Sequence, residues 1–80
     1  MGGILIIDDE PGIRATVKDI LEDEHYRVYS SEDGPGGLDI LAKEKVDVII
    51  LDVWLPNMGG IDVLKAIRKD FPIAETIVIS

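Results

Sequence analysis

Two apolar runs in this 80-residue chain end in carboxylates. Residues 4–7 are followed by Asp8 and Asp9, and residues 48–51 are followed by Asp52. Continuous runs of Ile, Leu and Val of this length are typical of strands that are covered on both faces of a parallel sheet. Because the carboxyl ends of parallel strands collect at one edge of the sheet, the pattern predicts that the three acids converge.

Converging acids predict a bound cation. In a partly dry cleft, three like charges cannot all stay ionised cheaply without a counter-charge. Oxygen-only ligands favour a hard ion such as Mg²⁺, which takes one or two carboxylates together with waters and a phosphate. An alternative interpretation is that Asp8 and Asp9 only cap a helix beginning at Pro11. Asp52 cannot be explained as a helix cap, since the next predicted helix begins several residues later.

The hydrophobic pattern predicts the element order βαβαβαβ. Alternation of this kind indicates an α/β fold with a parallel sheet and helices on both of its faces. The first helix carries an apolar stripe formed by Ile13, Val17, Ile20 and Leu21. The predicted strands cover residues 4–7, 26–29, 46–51 and 76–79, and the predicted helices run from 11 to about 24, from about 33 to 42 and from 61 to 71.

Composition excludes several function classes. Sixteen acidic and eight basic residues give a net charge of −8, which argues against direct binding of nucleic acid or of an anionic membrane. The absence of cysteine excludes disulfides and thiolate metal sites. The apolar runs are far shorter than the roughly 20 residues of a membrane span. One domain in the cytoplasm is the expectation.

Two further features have plain structural interpretations. The glycine-rich residues 34–37 lack the spacing and the Gly-Lys-Ser/Thr ending of a phosphate-binding loop, and they predict a weak helix start instead. His25, the single histidine, lies near a predicted helix end, where an imidazolium interacts well with the helix dipole. Trp54 is expected on the loop surface near the acidic cleft.

Four motifs in register resemble the receiver domain of bacterial two-component response regulators. They are residues 6–10 (Ile-Ile-Asp-Asp-Glu), residues 50–56 (Ile-Leu-Asp-Val-Trp-Leu-Pro), the loop residues Met58 and Gly60, and a strand that ends in Ser80. The resemblance implies a flavodoxin-like doubly wound sheet with strand order 2-1-3-4. The details are most similar to receivers of the nitrogen-regulation type.

The resemblance also implies a role for each matching residue. Asp52 corresponds to the phosphoacceptor, which takes a phosphoryl group from a histidine kinase or from a small donor such as acetyl phosphate. Asp9 corresponds to a direct Mg²⁺ ligand, Asp8 acts mainly through a water, and the backbone carbonyl of Trp54 is the third protein ligand. Ser80 corresponds to the switch hydroxyl that hydrogen bonds to the phosphoryl oxygen.

The resemblance also has limits. The family continues with another helix, a fifth strand that carries a lysine, and a final helix, so residues 1–80 are expected to form a truncated receiver with an exposed fourth strand. The alternative function is therefore a self-associating fragment, a homodimer or domain-swapped oligomer without phosphotransfer. A phosphatase of the Asp-x-Asp type is disfavoured, because Val53 and Trp54 follow Asp52.

Overall fold

The computed structural model describes residues 2–55 and 58–79, in which four strands alternate with three helices. Every predicted element is present, and the bounds differ from the prediction by at most two residues. No helix in the described part of the chain is both long and apolar enough to cross a membrane. The elements are β1 (Gly3–Ile7), α1 (Pro11–Asp23), β2 (Arg27–Ser31), α2 (Gly34–Lys43), β3 (Val48–Asp52), α3 (Gly60–Asp70) and β4 (Glu75–Ile79).

The strands form one parallel sheet in the order β2-β1-β3-β4, which confirms the predicted topology. The central pair, β1 and β3, is in register, with Ile7 beside Leu51. Asp8 follows Ile7 directly, and Asp52 follows Leu51. The register therefore delivers acids from two adjacent strands to the same edge of this flavodoxin-like sheet.

The main core lies between the sheet and one helical layer. Alternate residues of β1 and β3 face α2 and α3, because successive side chains of a strand point to opposite faces. Full burial of each such side chain contributes about 1.5–3 kcal/mol. The cluster consists of Leu5, Ile7, Leu41, Ile49, Leu51, Val63 and Ile67.

The opposite face is covered by α1, and its burial differs from the expectation. An apolar stripe of this kind typically faces a core, but the stripe of α1 contributes no buried residue, although the structure describes every residue of the helix. Ile13 is 43 % exposed and Ile20 is 58 % exposed. The helix packs on β1 and β2, and within the described ranges no second helix lies beside it on this face. The stripe predicted an amphipathic helix correctly, but its outer flank has no neighbour to bury it.

The end of α1 is a Schellman motif with histidine in the position that glycine usually takes. His25 has φ 70°, the left-handed region. Its N–H donates to the carbonyl of Glu22 (2.9 Å), and the N–H of Tyr26 donates to the carbonyl of Leu21 (3.1 Å). The sequence predicted a helix end here, but not the left-handed backbone, which costs a residue with a side chain about 1–2 kcal/mol.

The glycine-rich segment forms the first turn of α2, as the helix interpretation predicted. Asp33 is the N-cap, and its side chain accepts a hydrogen bond from the Gly36 N–H (2.8 Å). Gly37 is buried, and a Cβ atom there would collide with the side-chain tip of Ile7. The segment thus allows close packing of α2 on β1.

Candidate metal centre

The three predicted acids come together at the carboxyl edge of the sheet. Asp8, Asp9 and Asp52 each offer one carboxylate oxygen, and these oxygens lie within 4.8 Å of one another. Two oxygens that bind one Mg²⁺ at about 2.1 Å are separated by at most about 4.2 Å. The cluster therefore fits a small divalent cation after a slight closure of the side chains.

The three carboxylates differ in exposure. Asp8 is only 5 % exposed, Asp52 is half-buried and Asp9 is exposed. Desolvation by burial raises the pKa of Asp8 above its ordinary value, and the negative charges of Asp52, Asp9 and Glu10 raise it further, while a hydrogen bond from the Glu10 backbone opposes the shift. A cation beside Asp8 would favour its ionised form.

The backbone and side chain of Asp8 are held at three points. Its N–H donates to the carbonyl of Ser31 (3.1 Å), its Oδ1 accepts from the Glu10 N–H (2.9 Å), and its carbonyl accepts from Nη1 of Arg14 (2.7 Å). Sequence reasoning missed Arg14, because only the path of the loop brings it back to Asp8.

The interpretation of Asp8 and Asp9 as helix caps is wrong. The N-cap of α1 is Glu10, and in the described structure no side chain makes a capping hydrogen bond at this helix end. The bond from Asp8 to the Glu10 N–H shapes the turn before the helix rather than its first turn. Both acids are therefore available for a ligand.

Asp52 is tied to the loop that follows β3. The N–H of Trp54 donates to Oδ1 of Asp52 (3.1 Å), and the N–H of Val53 donates to the carbonyl of Ile79 in β4 (3.0 Å). The Trp54 indole is 75 % exposed, in agreement with its predicted place on the loop surface. The role of the Trp54 carbonyl as a ligand stays a prediction.

Gly60 closes the same loop by direct backbone contact. Its N–H donates to the carbonyl of Val53 (3.0 Å), and a Cβ at this position would lie 2.6 Å from the carbonyl oxygen of Asp52. The sequence predicted only a turn here. The structure adds that residue 60 lies against the backbone of the proposed phosphoacceptor, where a side chain does not fit.

An open groove of about 590 Å³ adjoins the acidic cluster. It connects Asp9 with the loop after β3, so a group bound at the carboxylates would face mainly apolar walls. Two residues singled out from the sequence, Pro56 and Ser80, lie outside the described residues. The groove is lined by Asp9, Val53, Trp54, Leu55, Gly59, Gly60 and Ile61.

A parallel 2-1-3-4 sheet with an acidic cluster at the ends of its central strands agrees with the family resemblance. The family model described as response regulator receiver domain matches residues 4–80. The chain belongs to this family, the receiver domains of two-component response regulators.

Curated relatives cover the chain well, whereas the chain covers only part of them. It is 38 % identical over 65 residues to sporulation initiation phosphotransferase F of Bacillus subtilis, a match that spans 81 % of this chain and 52 % of the relative. It is 38 % identical over 79 residues to the nitrogen assimilation regulatory protein NtrX of Azorhizobium caulinodans, which spans 96 % of this chain and 17 % of that protein.

Solved structures show the same fold. The chemotaxis response regulator CheY4 of Vibrio cholerae has a TM-score of 0.93 at 34 % identity, covering 98 % of this chain and 67 % of that one. The response regulator TrrA of Thermotoga maritima, solved in complex with Mg²⁺ and BeF, has a TM-score of 0.90 at 36 % identity, with 98 % and 68 % covered. TrrA has also been solved in complex with the histidine kinase ThkA, at a TM-score of 0.89, 36 % identity and 98 % and 67 % coverage.

Proposed function

We propose that this receiver accepts a phosphoryl group on Asp52 in a Mg²⁺-dependent reaction and then loses it slowly by hydrolysis. The observation that carries the proposal is the convergence of three carboxylate oxygens within 4.8 Å. A carboxylate oxygen of Asp52 attacks the phosphorus, an O–P bond forms, and the bond between phosphorus and the donor breaks. When bound, Mg²⁺ neutralises part of the negative charge of the three acids and of the incoming phosphoryl group, which otherwise repel each other.

Each of the other site residues has a separate role in binding the cation or the phosphoryl group. Asp9, which is exposed, binds the cation directly, and Asp8, which is buried, acts mainly through a water. The Trp54 carbonyl is the third protein ligand, and its place is supported by the hydrogen bond from Trp54 to Asp52. Ser80 is the switch residue that bonds the phosphoryl oxygen and shifts a two-state equilibrium.

The phosphoryl donor is a histidine kinase, and the domain works in the cytoplasm. The support is the complex of the similar regulator TrrA with the kinase ThkA. The net charge of −8 favours a protein partner over nucleic acid. Phosphorylation thus serves regulation, such as the transcriptional regulation named for the relative CpxR of Escherichia coli, rather than turnover of a substrate.

Intact-mass spectrometry after incubation with acetyl phosphate and Mg²⁺ tests the proposal. We expect one added phosphoryl group in the wild type, and none in EDTA or in Asp52→Asn. Asp39→Asn is the matched control, since Asp39 is an exposed acid on α2 away from the cluster. No adduct in folded wild type, or an adduct that persists in Asp52→Asn, would contradict the proposal.

Self-association through β4 is the second candidate function. Among the described strands β4 pairs only with β3, so its outer edge is free. Ile77 is 54 % exposed, Val78 43 % and Ile79 37 %, and the strand carries neither Lys nor Pro to block pairing. Antiparallel pairing about Ile77 would set Ile77 opposite its own copy and keep the two Glu75 carboxylates apart. The mass of the folded chain in solution tests this candidate.

A further inference from the structure

Arg14 occupies an unfavourable place for a basic side chain. It lies in the first turn of α1, where its N–H donates to the carbonyl of the N-cap residue Glu10 (3.1 Å). The N-terminal end of a helix carries partial positive charge, so a cation there is repelled. An interaction that compensates for this repulsion should therefore exist.

The compensating interaction is a short hydrogen bond to the acidic loop. Nη1 of Arg14 donates to the backbone carbonyl of Asp8 at 2.7 Å, and the side chain is half-buried. Hydrogen bonds from a charged donor are shorter and roughly twice as strong as neutral ones. In the described part of the chain, Arg14 bonds to this carbonyl and to no carboxylate.

The position of that carbonyl lets the Arg14 bond affect the orientation of both Asp8 and Asp9. The carbonyl belongs to the peptide unit that joins Asp8 to Asp9, and the atoms of a peptide unit from one Cα to the next lie in a plane. Holding its oxygen fixes the direction in which Asp9 leaves Asp8. The other two bonds of Asp8, to Ser31 and Glu10, come from backbone donors. The Arg14 bond is thus the one of the three that a side-chain substitution outside the three carboxylates can remove.

We propose that Arg14 is a positioning residue of the Mg²⁺ site, holding the Asp8–Asp9 peptide so that both carboxylates meet Asp52. The proposal rests on the proposed function. It also predicts the direction in which the Mg²⁺ affinity changes when Arg14 is replaced. If only charge mattered, removing a cation near the site would tighten Mg²⁺ binding. If Arg14 positions the ligands, removing it weakens binding.

The dissociation constant for Mg²⁺, measured by isothermal titration calorimetry, tests the proposal. We expect Arg14→Met to weaken binding about 10-fold, the effect typical of residues that orient metal ligands. Arg14→Lys, which keeps a donor and the charge, should recover part of the affinity. Lys18→Met is the matched control, because it removes the same charge one helical turn further along α1 and should leave binding unchanged or slightly tighter.

Melting temperatures in EDTA separate positioning from general stabilisation. A lower melting temperature with unchanged or tighter Mg²⁺ binding in Arg14→Met would overturn the proposal. If Arg14→Met does not fold, Arg14→Gln, a neutral donor on a shorter side chain, takes its place with the same two outcomes. If the wild type binds no Mg²⁺, the proposed function fails and this inference fails with it. If the wild type binds Mg²⁺ and the Arg14 substitution does not weaken that binding, the inference alone fails.

Discussion

At the residue scale, Asp8 is the acid with the greatest consequence for stability. Burial raises its pKa, so the folded protein favours the protonated form relative to the unfolded chain. The stabilising contribution of the protonated carboxyl is therefore complete below its ordinary pKa of 3.8 and is lost as the pH rises through the raised value. In the metal-free protein at neutral pH, ionised Asp8 opposes folding.

Asp8→Asn should accordingly raise the melting temperature at pH 7 in EDTA, because the amide keeps the acceptor for Glu10 without the charge. Mg²⁺ should reverse the order. At a concentration 100 times its dissociation constant, a cation that binds only the folded state adds about 2.7 kcal/mol to the wild type, and the variant should gain less.

Thermal unfolding by circular dichroism, with and without Mg²⁺, measures both effects. Asp39→Asn again serves as the control for loss of one negative charge. A melting temperature below that of the wild type in EDTA would show that ionised Asp8 does not destabilise the fold.

Which site residues the sequence could predict depends on the range of their contacts. Asp8, Asp9 and Asp52 were predictable because strand ends meet at one sheet edge in any parallel fold. The bond from Arg14 to the Asp8 carbonyl was not predictable, since hydrophobic periodicity carries no information on where a long polar side chain ends.

At the element scale, the packing of α2 on β1 explains why residue 37 is glycine. From the sequence, the first turn of α2 looked weak, since glycine within a helix costs about 1 kcal/mol relative to alanine. In the structure, the space that an alanine methyl would need is taken by Ile7. The glycine is thus matched to the size of its neighbour on the strand, a pairing that helix propensity does not reveal.

Gly37→Ala should therefore fail to stabilise the protein, because its gain of about 1 kcal/mol is cancelled by overpacking of about 1–3 kcal/mol. Ile7→Val removes Cδ1, the atom nearest to the new methyl, and alone should cost about 0.5–1.5 kcal/mol. Together the two should be more stable than the sum of their separate effects by about 1 kcal/mol.

Urea unfolding of the four proteins in this cycle measures the coupling. Gly12→Ala is the matched control, since a Cβ at residue 12 meets only Oε1 of Glu10 at 3.8 Å. It should add independently to Ile7→Val. Simple additivity between Gly37→Ala and Ile7→Val would show that the two residues do not compete for space.

At the scale of the whole molecule, the two faces of the sheet are unequal. The core between the sheet and α2 and α3 is made of seven buried apolar side chains, whereas on the face of α1 Ile13 and Ile20 remain exposed. The alternation of strands and helices predicted the parallel sheet, and the family resemblance implied its strand order. The degree of exposure of each side chain was not predictable, since an apolar stripe shows that a surface favours burial and not that a partner is present.

Light scattering at micromolar concentration tests the second candidate function. We expect a wild-type mass above that of one chain, increasing with salt because each copy carries a net charge of −8. Ile77→Lys places a charge at the centre of the exposed strand and should give monomers. Ile20→Lys is the matched control, with a similarly exposed isoleucine on α1. A monomeric wild type would exclude this mode of assembly.

The hydrogen bonds that close the β3–α3 loop require a glycine at position 60 but place no requirement on the other loop side chains. Its ends are joined by the backbone bond from the Gly60 N–H to the Val53 carbonyl, and its start is held by the bond from the Trp54 N–H to Oδ1 of Asp52. Neither bond depends on the side chains of residues 54, 55, 58 or 59. The loop side chains can therefore change while the backbone beside Asp52 keeps its position, so long as position 60 remains glycine.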